Sequence, residues 1–529
     1  MSDSKTPWQE TQLPEFPTLK RDTECDVLIV GGGITGLTAA YLLNKAKKRV
    51  IVVDRGRLAG GDTGCTTAHL TQVTDLRLRE LVDSFGRDTA RLVWEGGAAA
   101  INTIEKIVGS EDLHCEFQRI PGFLHASLTR ARNEAKSLND DCDLANELGF
   151  AATFVGSVPG LNRAGVRFAN QAKFHPLQYL AGIARALDKG GCRIFEQSEA
   201  SQFEEKPRAV IVKGKRIKCD HIVIATHVPL MGELGLVGAT LFQSKLAPYS
   251  SYAIGAKIPK GALPEASFWD TSDPYYYLRV DARSGSDYAI FGGEDHKTGQ
   301  AADTKVRFAR LEQLFKTLVP QAKVNRRWSG QVVETHDGLP YIGETAAGQF
   351  AATGFSGNGM TLGTLAGMMA CDWLLGRTNP WQSIFHPSRK KVSGLLNFVK
   401  ESFDYPYYLL RDRLTGSNGA STRAIPRGEG RVLEIDGQRV ACSRDDNGKL
   451  CSVSAVCTHM GCIVHWNNAE GTWDCPCHGS RFLATGEVLA GPAEAPLDSV
   501  PDAAAKSAKT EKTKPQARMK GRGQVLSRR

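Results

Sequence analysis

Two short motifs that each pair cysteine with histidine constrain the fold of this chain more than any other feature of the sequence. The first is Cys457-Thr458-His459-Met460-Gly461-Cys462, and the second, about fifteen residues further on, is Cys475-Pro476-Cys477-His478-Gly479-Ser480. Thiolates bind iron or zinc, and imidazole suits both metals, so the ligand types alone leave the metal open. Six of the 13 cysteines lie between Cys442 and Cys477, which in a chain of 529 residues indicates a metal site more than the disulfide scaffold of a secreted protein.

The spacing of these ligands distinguishes two kinds of metal site. A zinc site with two cysteines and two histidines usually has the cysteines close together, followed by the two histidines close together. Here each motif contributes one cysteine and one histidine. Such a set suits a two-iron cluster in which two cysteines bind one iron and two histidines bind the other. The spacing therefore favours iron over zinc.

With these motifs the segment resembles the Rieske [2Fe–2S] family. The resemblance implies that Cys457 and Cys475 bind one iron and that His459 and His478 bind the other. Neutral imidazoles replace two anionic thiolates in such a cluster, which makes it easier to reduce than a cluster with four cysteines. The resemblance thus implies an electron-transfer role.

Other positions of the same segment extend this resemblance. Cys462 and Cys477 match the pair that forms a disulfide between the two cluster loops in Rieske proteins of the cytochrome bc type. Gly491-Pro492 matches the proline loop that covers the cluster, and Ser480 matches a residue that hydrogen-bonds a cluster sulfur. Phe482 stands where that subfamily often has Tyr, so one stabilising hydrogen bond is missing and a somewhat lower potential is expected.

A glycine-rich loop near the N-terminus predicts a second cofactor site. Gly31-x-Gly33-x-x-Gly36 follows the strand-like run 25–30 and opens a helix-like stretch, 34–46. A second strand-like run then ends in Asp54, which completes a β–α–β unit with a parallel pair of strands. Glycines permit the tight turn and the close approach of a pyrophosphate, whose charge the helix N-terminus favours, and Asp54 would accept hydrogen bonds from ribose hydroxyls.

Three segments resemble the FAD-dependent oxidases of the D-amino-acid oxidase and glycine oxidase superfamily: residues 55–67, 219–226 and 354–361. The resemblance covers roughly residues 25–378 and implies FAD with its pyrophosphate at the glycine-rich loop. The helix that begins near Gly359 would point its positive end at the flavin ring. The residues expected to bind FAD are Gly31, Gly33, Ile34, Thr35, Gly36, Asp54, Arg55, Thr66, Thr67, Gly354, Gly357, Asn358 and Met360.

The substrate side of this resemblance departs from the family pattern, and no catalytic residue is assigned. Amino-acid oxidases of the group hold the substrate carboxylate with an Arg five residues before an Asp-Gly-x-Pro turn. Here the turn is Asp337-Gly338-Leu339-Pro340 and the corresponding position is Val332, which cannot hold a carboxylate. Arg279 is a candidate substitute, and an exposed strand arginine is the alternative.

Histidines and tyrosines of this region give weaker signals. His227, His296 and His336 have no evident partner in the sequence, and isolated histidines are more often structural than catalytic. The run Tyr275-Tyr276-Tyr277 is expected to pack in the sheet of the substrate domain more than to form an aromatic cage around an amine.

These features predict an α/β FAD-binding domain of the Rossmann type with an interleaved α+β substrate domain, followed by a small all-β Rieske domain. The expected divisions are an N-terminal extension (1–24), the flavoprotein part (25–385), a connector helix and linker (386–427), the Rieske domain (428–500) and a disordered basic tail (501–529). Within the connector, apolar residues recur at helical spacing between Val392 and Phe403, and residues 416–420 have the composition of a linker.

The net charge of +9 does not describe the body of the protein. Residues 501–529 contain nine Lys or Arg and two acidic residues, so this tail supplies seven of the nine charges. A solvated tail is the expected role, and contact with an anionic membrane or an acidic partner is the alternative; nucleic acid is not an expected partner. No targeting signal opens the chain, and the apolar stretch 359–376 is expected to be a buried helix, so a cytoplasmic location is predicted.

Together the two resemblances imply an FAD-dependent dehydrogenase that oxidises a small amine, amino acid or hydroxy compound and passes electrons from flavin to the Rieske cluster. No second strand-embedded Gly-x-Gly-x-x-Gly is present in the sequence, which argues for direct reduction of the flavin by an organic substrate. Two alternatives stay open. One is an electron-transfer protein whose flavin is reduced by a partner and whose cluster feeds an oxygenase or a respiratory acceptor, and the other is a Rieske module with a structural or sensing role.

Overall fold

The computed structural model describes residues 6–130, 133–228, 245–389, 407–408, 411 and 421–501. The helix predicted between Val392 and Phe403, the linker at 416–420 and residues 502–529 of the basic tail lie outside these residues. The helices of the described part are α1 (Ile34–Lys45), α2 (Leu78–Phe85), α3 (Arg87–Ser110), α4 (Ala135–Glu147), α5 (Pro176–Lys189), α6 (Lys305–Leu318), α7 (Gly359–Leu374) and α8 (Gln382–Phe385).

The strands up to residue 353 form two large sheets. In chain order they are β1 (Thr23–Val30), β2 (Val50–Val53), β3 (His69–Leu70), β4 (Gln118–His125), β5 (Ala152–Val155), β6 (Gly165–Lys173), β7 (Arg193–Phe195), β8 (Ala200–Glu205), β9 (Arg208–Val212), β10 (Lys215–Ile224), β11 (Leu246–Ile258), β12 (Ser267–Asp270), β13 (Tyr277–Asp281), β14 (Asp287–Lys297), β15 (Lys323–Thr335), β16 (Tyr341–Ala346) and β17 (Gln349–Thr353).

The first sheet has a parallel centre of strand order β17-β10-β1-β2-β7, with β16 antiparallel to β17 at one edge and the β8–β9 hairpin beside β10. All four residues of β2 are buried, as expected for a strand covered on both faces. The glycine-rich loop leaves the carboxyl end of β1, and Asp54 leaves that of β2. This edge of a parallel sheet is where doubly wound folds bind their ligands.

Helix α7 packs against α1 on one face of this sheet through glycine. A Cβ at Gly363 would lie 2.8 Å from Thr35 Oγ1, and one at Gly367 would lie 2.8 Å from Thr38 Cβ, so the two helices approach as closely as glycine allows. The apolar stretch that begins at Gly359 is thus a buried helix, as predicted. Among the described residues, no helix has the length and apolarity to cross a membrane.

The second sheet has nine strands in the order β15-β11-β14-β13-β12-β4-β6-β3, with β5 beside β6. Its pairs are antiparallel except β12 with β4. Its strands β11, β13 and β14 carry an apolar cluster that α6 covers. The two sheets alternate along the chain, which confirms the predicted α/β domain with an interleaved α+β domain.

The C-terminal part is all-β. A three-stranded sheet contains β18 (Gly430–Ile435), β19 (Gln438–Arg444) and β20 (Leu450–Ser454), and a four-stranded sheet contains β21 (His465–Asn467), β22 (Thr472–Asp474), β23 (Arg481–Leu483) and β24 (Val488–Ala490). A buried cluster that includes Trp473, Phe482 and Leu497 lies beneath the two cysteine–histidine loops. The predicted small all-β domain is confirmed.

The N-terminal segment before β1 is packed onto the flavoprotein core. Trp8 is 2% exposed, and its indole Nε1 donates to the Thr66 carbonyl at 2.7 Å. Leu19 is buried as well, and its backbone N–H donates to Ser198 Oγ. Residues that the sequence presents as a polar extension therefore support a loop of the predicted FAD site.

Candidate active site and metal centre

The glycine-rich loop is shaped by contacts that exclude any side chain. A Cβ at Gly36 would lie 1.9 Å from the Gly31 carbonyl oxygen, and one at Gly31, whose φ is +108°, would lie 2.4 Å from the Ala225 oxygen. Gly33 caps α1 with extended backbone and no side-chain hydrogen bond. The Ile34 N–H donates to Thr63 Oγ1 over a long distance of 3.4 Å, and an N-terminus capped this weakly favours a bound phosphate group.

Asp54 organises the turns around this loop. Its two carboxylate oxygens accept hydrogen bonds from the backbone N–H groups of Gly32 and Gly56, both at 2.8 Å. Burial raises the pKa of Asp54, although these hydrogen bonds and Arg55 oppose the shift. Asp54 also lines a cavity, which agrees with the sequence prediction that it would accept hydrogen bonds from a ribose.

A cavity of about 1110 Å³ extends from this loop to the second sheet. Its size exceeds the roughly 300–1,000 Å³ typical of ligand pockets, which leaves room for a dinucleotide and a small substrate together. Most of the residues predicted to bind FAD line it: Gly31, Gly33, Ile34, Thr35, Asp54, Arg55, Thr66, Thr67, Gly357, Asn358 and Met360. The residues present thus fit FAD.

Two of the predicted residues do not line the cavity. Gly36 lies behind the loop, where it permits the close turn. Gly354, with φ of +76°, turns the chain between β17 and the segment before α7, and a Cβ there would lie 2.3 Å from Thr335. Glycine is therefore required at both positions by the backbone geometry, and neither residue lies on the wall of the cavity predicted to hold FAD.

On the substrate side, Val332 lines the cavity and presents an apolar side chain where a carboxylate-binding Arg was sought. Arg279 is neither exposed nor a lining residue. It is 0% exposed, its Nε lies 2.9 Å from Asp281, and its Nη1 donates to the carbonyls of Ala68 and Phe174. Both expectations for Arg279 are therefore wrong, because the segment that carries Trp8 covers its guanidinium.

The tyrosine run divides between two roles. Tyr276 packs in the sheet as expected, stacked on Phe291 with ring centroids 5.9 Å apart. Tyr277 begins β13 and also packs in the sheet, but it lines the cavity as well, as does Tyr275, which lies before the strand. Gly292 lies opposite Tyr277 in the sheet, and a Cβ there would lie 2.3 Å from the Tyr277 ring.

The three histidines also separate. His227 and His336 line the cavity, and His227 Nε2 lies 3.6 Å from Asp62. His296 instead hydrogen-bonds the Tyr252 hydroxyl at 2.9 Å, a structural role. The lining also contains Asp75, Ser251 and Asp295, which the sequence analysis did not single out.

In the C-terminal domain, the two cysteine–histidine loops face each other. The rings of His459 and His478 lie with centroids 4.9 Å apart, and a hydrogen bond from the Cys475 thiol lowers the pKa of Cys457 to about 7. Burial lowers the pKa of each imidazole to about 4, so both rings are neutral, the form in which histidine binds metal. The four predicted ligands are thus brought together.

The surroundings of this ligand set match a cluster site. Cys462 and Cys477 form a disulfide, and Cys475 Sγ lies within 4.8 Å of both of their sulfurs. Gly491 has φ of +97°, and a Cβ there would lie 2.5 Å from Ser480 Cα, so the proline loop packs directly on the second cluster loop. A donor set of two thiols and two imidazoles, tied by this disulfide, fits a [2Fe–2S] cluster.

The cluster loops adjoin the flavin cavity. Residues Leu489, Ala490, Gly491, Ala493, Glu494 and Ala495 of the C-terminal domain line that cavity, and Arg55 donates to the Leu489 carbonyl. Gln331, on β15, is 3% exposed and donates through its side-chain amide to the Gly479 carbonyl at 2.7 Å. Its backbone N–H donates to Asp62 at the cavity wall, so a single residue touches both sites.

Loop 298–304 of the flavoprotein part completes the contact. A Cβ at Gly299 would lie 2.7 Å from the Cys475 carbonyl carbon, so the two backbones touch. His465 Nδ1 donates to the Gly299 carbonyl at 2.7 Å, and Gln300 donates to the Pro476 carbonyl at 3.0 Å. These contacts have no signal in the sequence, because they join residues about 170 positions apart.

Comparisons with known proteins agree with this geometry. The profile of the family "FAD dependent oxidoreductase" matches residues 26–373, and that of the "Rieske [2Fe-2S] domain" matches residues 419–501. The chain is 34% identical over 505 residues to the Rieske 2Fe-2S iron-sulfur protein YhfW of Bacillus subtilis (strain 168), covering 94% of this chain and 97% of that protein.

More distant relatives match the flavoprotein part. The gamma-glutamylputrescine oxidoreductase of Escherichia coli (strain K12) is 24% identical over 433 residues, covering 75% of this chain and 95% of that protein. The crystal structure of glycine oxidase from Geobacillus kaustophilus superimposes with a TM-score of 0.58 at 19% identity, covering 69% of this chain and 99% of that one. The chain belongs to the FAD-dependent oxidoreductase family of the D-amino-acid oxidase type and carries a C-terminal Rieske [2Fe–2S] domain.

Proposed function

We propose that this oxidoreductase is a dehydrogenase that oxidises a small organic substrate and passes the electrons from flavin to the Rieske cluster of the same chain. The observation that carries the proposal is the shared wall: residues of the Rieske domain line the flavin cavity, and Gln331 bridges that wall to the loop next to His478. When bound, FAD accepts a hydride and releases electrons singly, and a Rieske cluster carries one electron at a time.

The residues assigned to the two cofactors follow the structure. The glycine-rich loop and the N-terminus of α1 would hold the pyrophosphate, with Asp54 at the ribose. Cys457 and Cys475 would hold one iron, and His459 and His478 the other. Gly299 and Gln331 then fix the distance between the two sites, because both make direct contacts to the second cluster loop.

The relatives support oxidation at a carbon bonded to nitrogen. One is named for gamma-glutamylputrescine and a solved neighbour for glycine, and both compounds carry an amino group. The apolar Val332 in this cavity argues against recognition of the substrate through a carboxylate at that position.

Anaerobic reduction of the holoenzyme tests the electron path. A substrate, or light with a flavin-reducing donor, reduces the flavin, and the flavin absorbance and the electron paramagnetic resonance signal of the cluster are followed together. Gly299→Val places a side chain against the backbone of Cys475 and is expected to slow reduction of the cluster while flavin bleaching keeps its rate. Gly261→Val is the matched control, since Gly261 has a similar positive φ of +74° but a Cβ there has nothing within 4 Å.

The outcomes separate the alternatives. A bleached flavin beside a cluster that stays oxidised in the unaltered protein refutes the internal path. If a reductase or a quinol reduces the flavin but no small metabolite does, the result favours the alternative of an electron-transfer protein. Turnover that Cys457→Ala leaves unchanged favours a structural or sensing role for the Rieske domain.

Location and the basic tail remain predictions. We expect a cytoplasmic protein whose tail is solvated, with contact to an anionic membrane or an acidic partner as the alternative. Deletion of residues 501–529 followed by a membrane partition assay tests that alternative, which an unchanged partition would remove.

A further inference from the structure

Five side chains on one part of the cavity wall form a connected group, which we call the tyrosine chamber: Asp75, Ser251, Tyr275, Tyr277 and Asp295. The Tyr275 hydroxyl donates to Asp75 at 3.0 Å, and the rings of Tyr275 and Tyr277 lie 5.9 Å apart. The Tyr277 hydroxyl shares a hydrogen bond of 3.0 Å with Ser251, and the Ser251 side chain lies close enough to Asp295 to oppose the rise in the pKa of that carboxyl. A carboxyl group therefore stands at each end of an aromatic wall.

Asp295 lacks a positive partner in the described part of the protein. Its Oδ1 is buried and has no hydrogen-bond partner there. Arg307 is the nearby arginine, and it pairs with Glu294 at 3.2 Å. Burial raises the pKa of Asp295 to about 7, and the charges of Asp75 and Glu294 add to the effect of burial. The protein itself supplies little to stabilise a negative charge at this position.

Asp75 is held in place but not neutralised. It accepts hydrogen bonds from Tyr275, from the backbone N–H of Gly357 at 2.7 Å and from the Asn358 amide at 3.2 Å. Each of these donors is uncharged, and burial raises the pKa of the carboxyl. Through Gly357 and Asn358 the chamber is joined to the segment that precedes α7, which is part of the predicted FAD site.

Within the described residues, no Arg or Lys that lines this cavity forms an ion pair with a member of the chamber. The Arg and Lys side chains that line it within the described residues are Arg55, which donates to the Leu489 carbonyl, and Arg77, which pairs with Asp141. Burial lowers the pKa of His69, beside Tyr277, to about 4, so this imidazole is neutral. The chamber thus presents uncompensated acid groups and aromatic rings.

We propose that the tyrosine chamber binds the substrate as an organic cation, an amine without a carboxylate next to it, with its ammonium group between Asp295 and Asp75 and its carbon chain against Tyr275 and Tyr277. A cation offsets the charge of the two cavity-lining carboxylates, and tyrosine rings attract cations through their electron-rich faces. This inference rests on the proposed function only in taking the cavity as the substrate site. It does not depend on electron flow to the cluster.

Binding to the oxidised holoenzyme tests the inference without turnover. The probes are benzyltrimethylammonium, benzyl alcohol and benzoate, which share an aromatic ring and differ in charge, and binding is followed by the perturbation of the flavin absorbance. Benzyltrimethylammonium has no lone pair on nitrogen and is not oxidised, so failure of the electron path leaves this measurement intact. We expect the cation to bind at least about tenfold more tightly than the alcohol and benzoate to bind weakest, since contact with the tyrosine faces and attraction to two nearby carboxylates favour the cation alone.

Single charge-removing variants locate the site. Asp295→Asn is expected to weaken binding of the cation about tenfold or more and to leave binding of benzyl alcohol unchanged. Asp273→Asn is the matched control, because Asp273 is an exposed acid on the same cavity, and it should not change the dissociation constant of the cation. Asp75→Asn is measured as well, with the flavin content of each variant confirming that the site is formed.

Two results would overturn the inference. One is binding of benzoate as tight as that of the cation, and the other is an unchanged dissociation constant for the cation in both Asp295→Asn and Asp75→Asn. If Asp75→Asn alone loses its flavin, the result for Asp295→Asn decides, because none of the contacts described for Asp295 is to a residue predicted to bind FAD.

Discussion

Replacement of Arg279 separates a structural arginine from one that binds substrate. Arg279→Leu introduces an apolar side chain of moderate size and removes the guanidinium. That group is 0% exposed and lies 2.9 Å from Asp281 and from two backbone carbonyls. Burial opposes ionisation of Asp281, but Arg279 and Lys173 outweigh it and lower the pKa of that carboxyl. The substitution therefore leaves a buried acid with one of its two counterions.

The expected cost follows from these contacts. Breaking a buried ion pair costs about 3–5 kcal/mol, and the low end applies because Lys173 stays 2.9 Å from Asp281. The carbonyls of Ala68 and Phe174 lose their donor, at about 1 kcal/mol each. The total of about 5 kcal/mol is comparable to the whole stability of many domains, about 5–15 kcal/mol. We expect little folded protein and little bound flavin.

Soluble yield, flavin content and the midpoint of thermal unfolding measure this effect. Arg283→Leu is the matched control, since Arg283 is an exposed arginine just beyond the same strand, and its variant should resemble the unaltered protein. If Arg279→Leu retained normal yield and flavin but showed a raised KM for carboxylate substrates, Arg279 would reach substrate and the structural role would be refuted.

Three further predictions follow from other sites. Gly36→Ala should weaken FAD binding about tenfold or more, because the new Cβ would lie 1.9 Å from the Gly31 oxygen. Gly61→Ala should leave FAD binding unchanged, because a Cβ there has nothing within 4 Å. Retention of flavin on dialysis distinguishes the two variants. The double variant Cys462→Ser, Cys477→Ser should lower the stability of the Rieske domain by about 3 kcal/mol, the value expected for a disulfide that closes a loop of 15 residues. Urea titration followed by the cluster absorbance measures this, and an unchanged midpoint would show that the disulfide contributes nothing. Burial of Asp337 opposes its ionisation, but Arg389 at 2.8 Å outweighs burial and lowers the pKa of the carboxyl below 3.8. The stability that this ion pair contributes is complete above the pKa of the unfolded chain and disappears as the pH falls through the pKa of the folded protein. Asp337→Asn should therefore reduce the loss of thermal stability below about pH 4, and parallel pH profiles of variant and unaltered protein would contradict this.

The parts of the site that depend on local spacing could be predicted from the sequence. The glycines around Gly33 and the ligands around His459 lie within single loops, so their chemistry can be recognised before any fold is known. The chamber around Asp295 could not be found in this way. Its members come from β11, β13, β14 and two loops that are about 200 residues apart, and no period of hydrophobicity marks which acid will face a cavity.

Tertiary contacts also decided the role of Arg279. Its strand position predicts an alternating exposure pattern, but the segment carrying Trp8, more than 270 residues earlier, covers it. The contact of Gln331 with Gly479 is equally non-local. Pattern and spacing thus indicated which cofactors the chain holds, and only the packed structure shows that residues of the C-terminal domain line the cavity at the glycine-rich loop.

The strand order of the first sheet has a consequence for how the protein is made. Strand β10 lies between β1 and β17, so the parallel centre is unfinished until residue 353 has left the ribosome. The wall of the flavin cavity is completed later still, by residues up to Ala495. A chain that is synthesised from its N-terminus therefore exposes an open, partly apolar sheet for most of its translation. Capture of FAD and insertion of the cluster become late events of biogenesis, and truncated chains are expected to depend on chaperones.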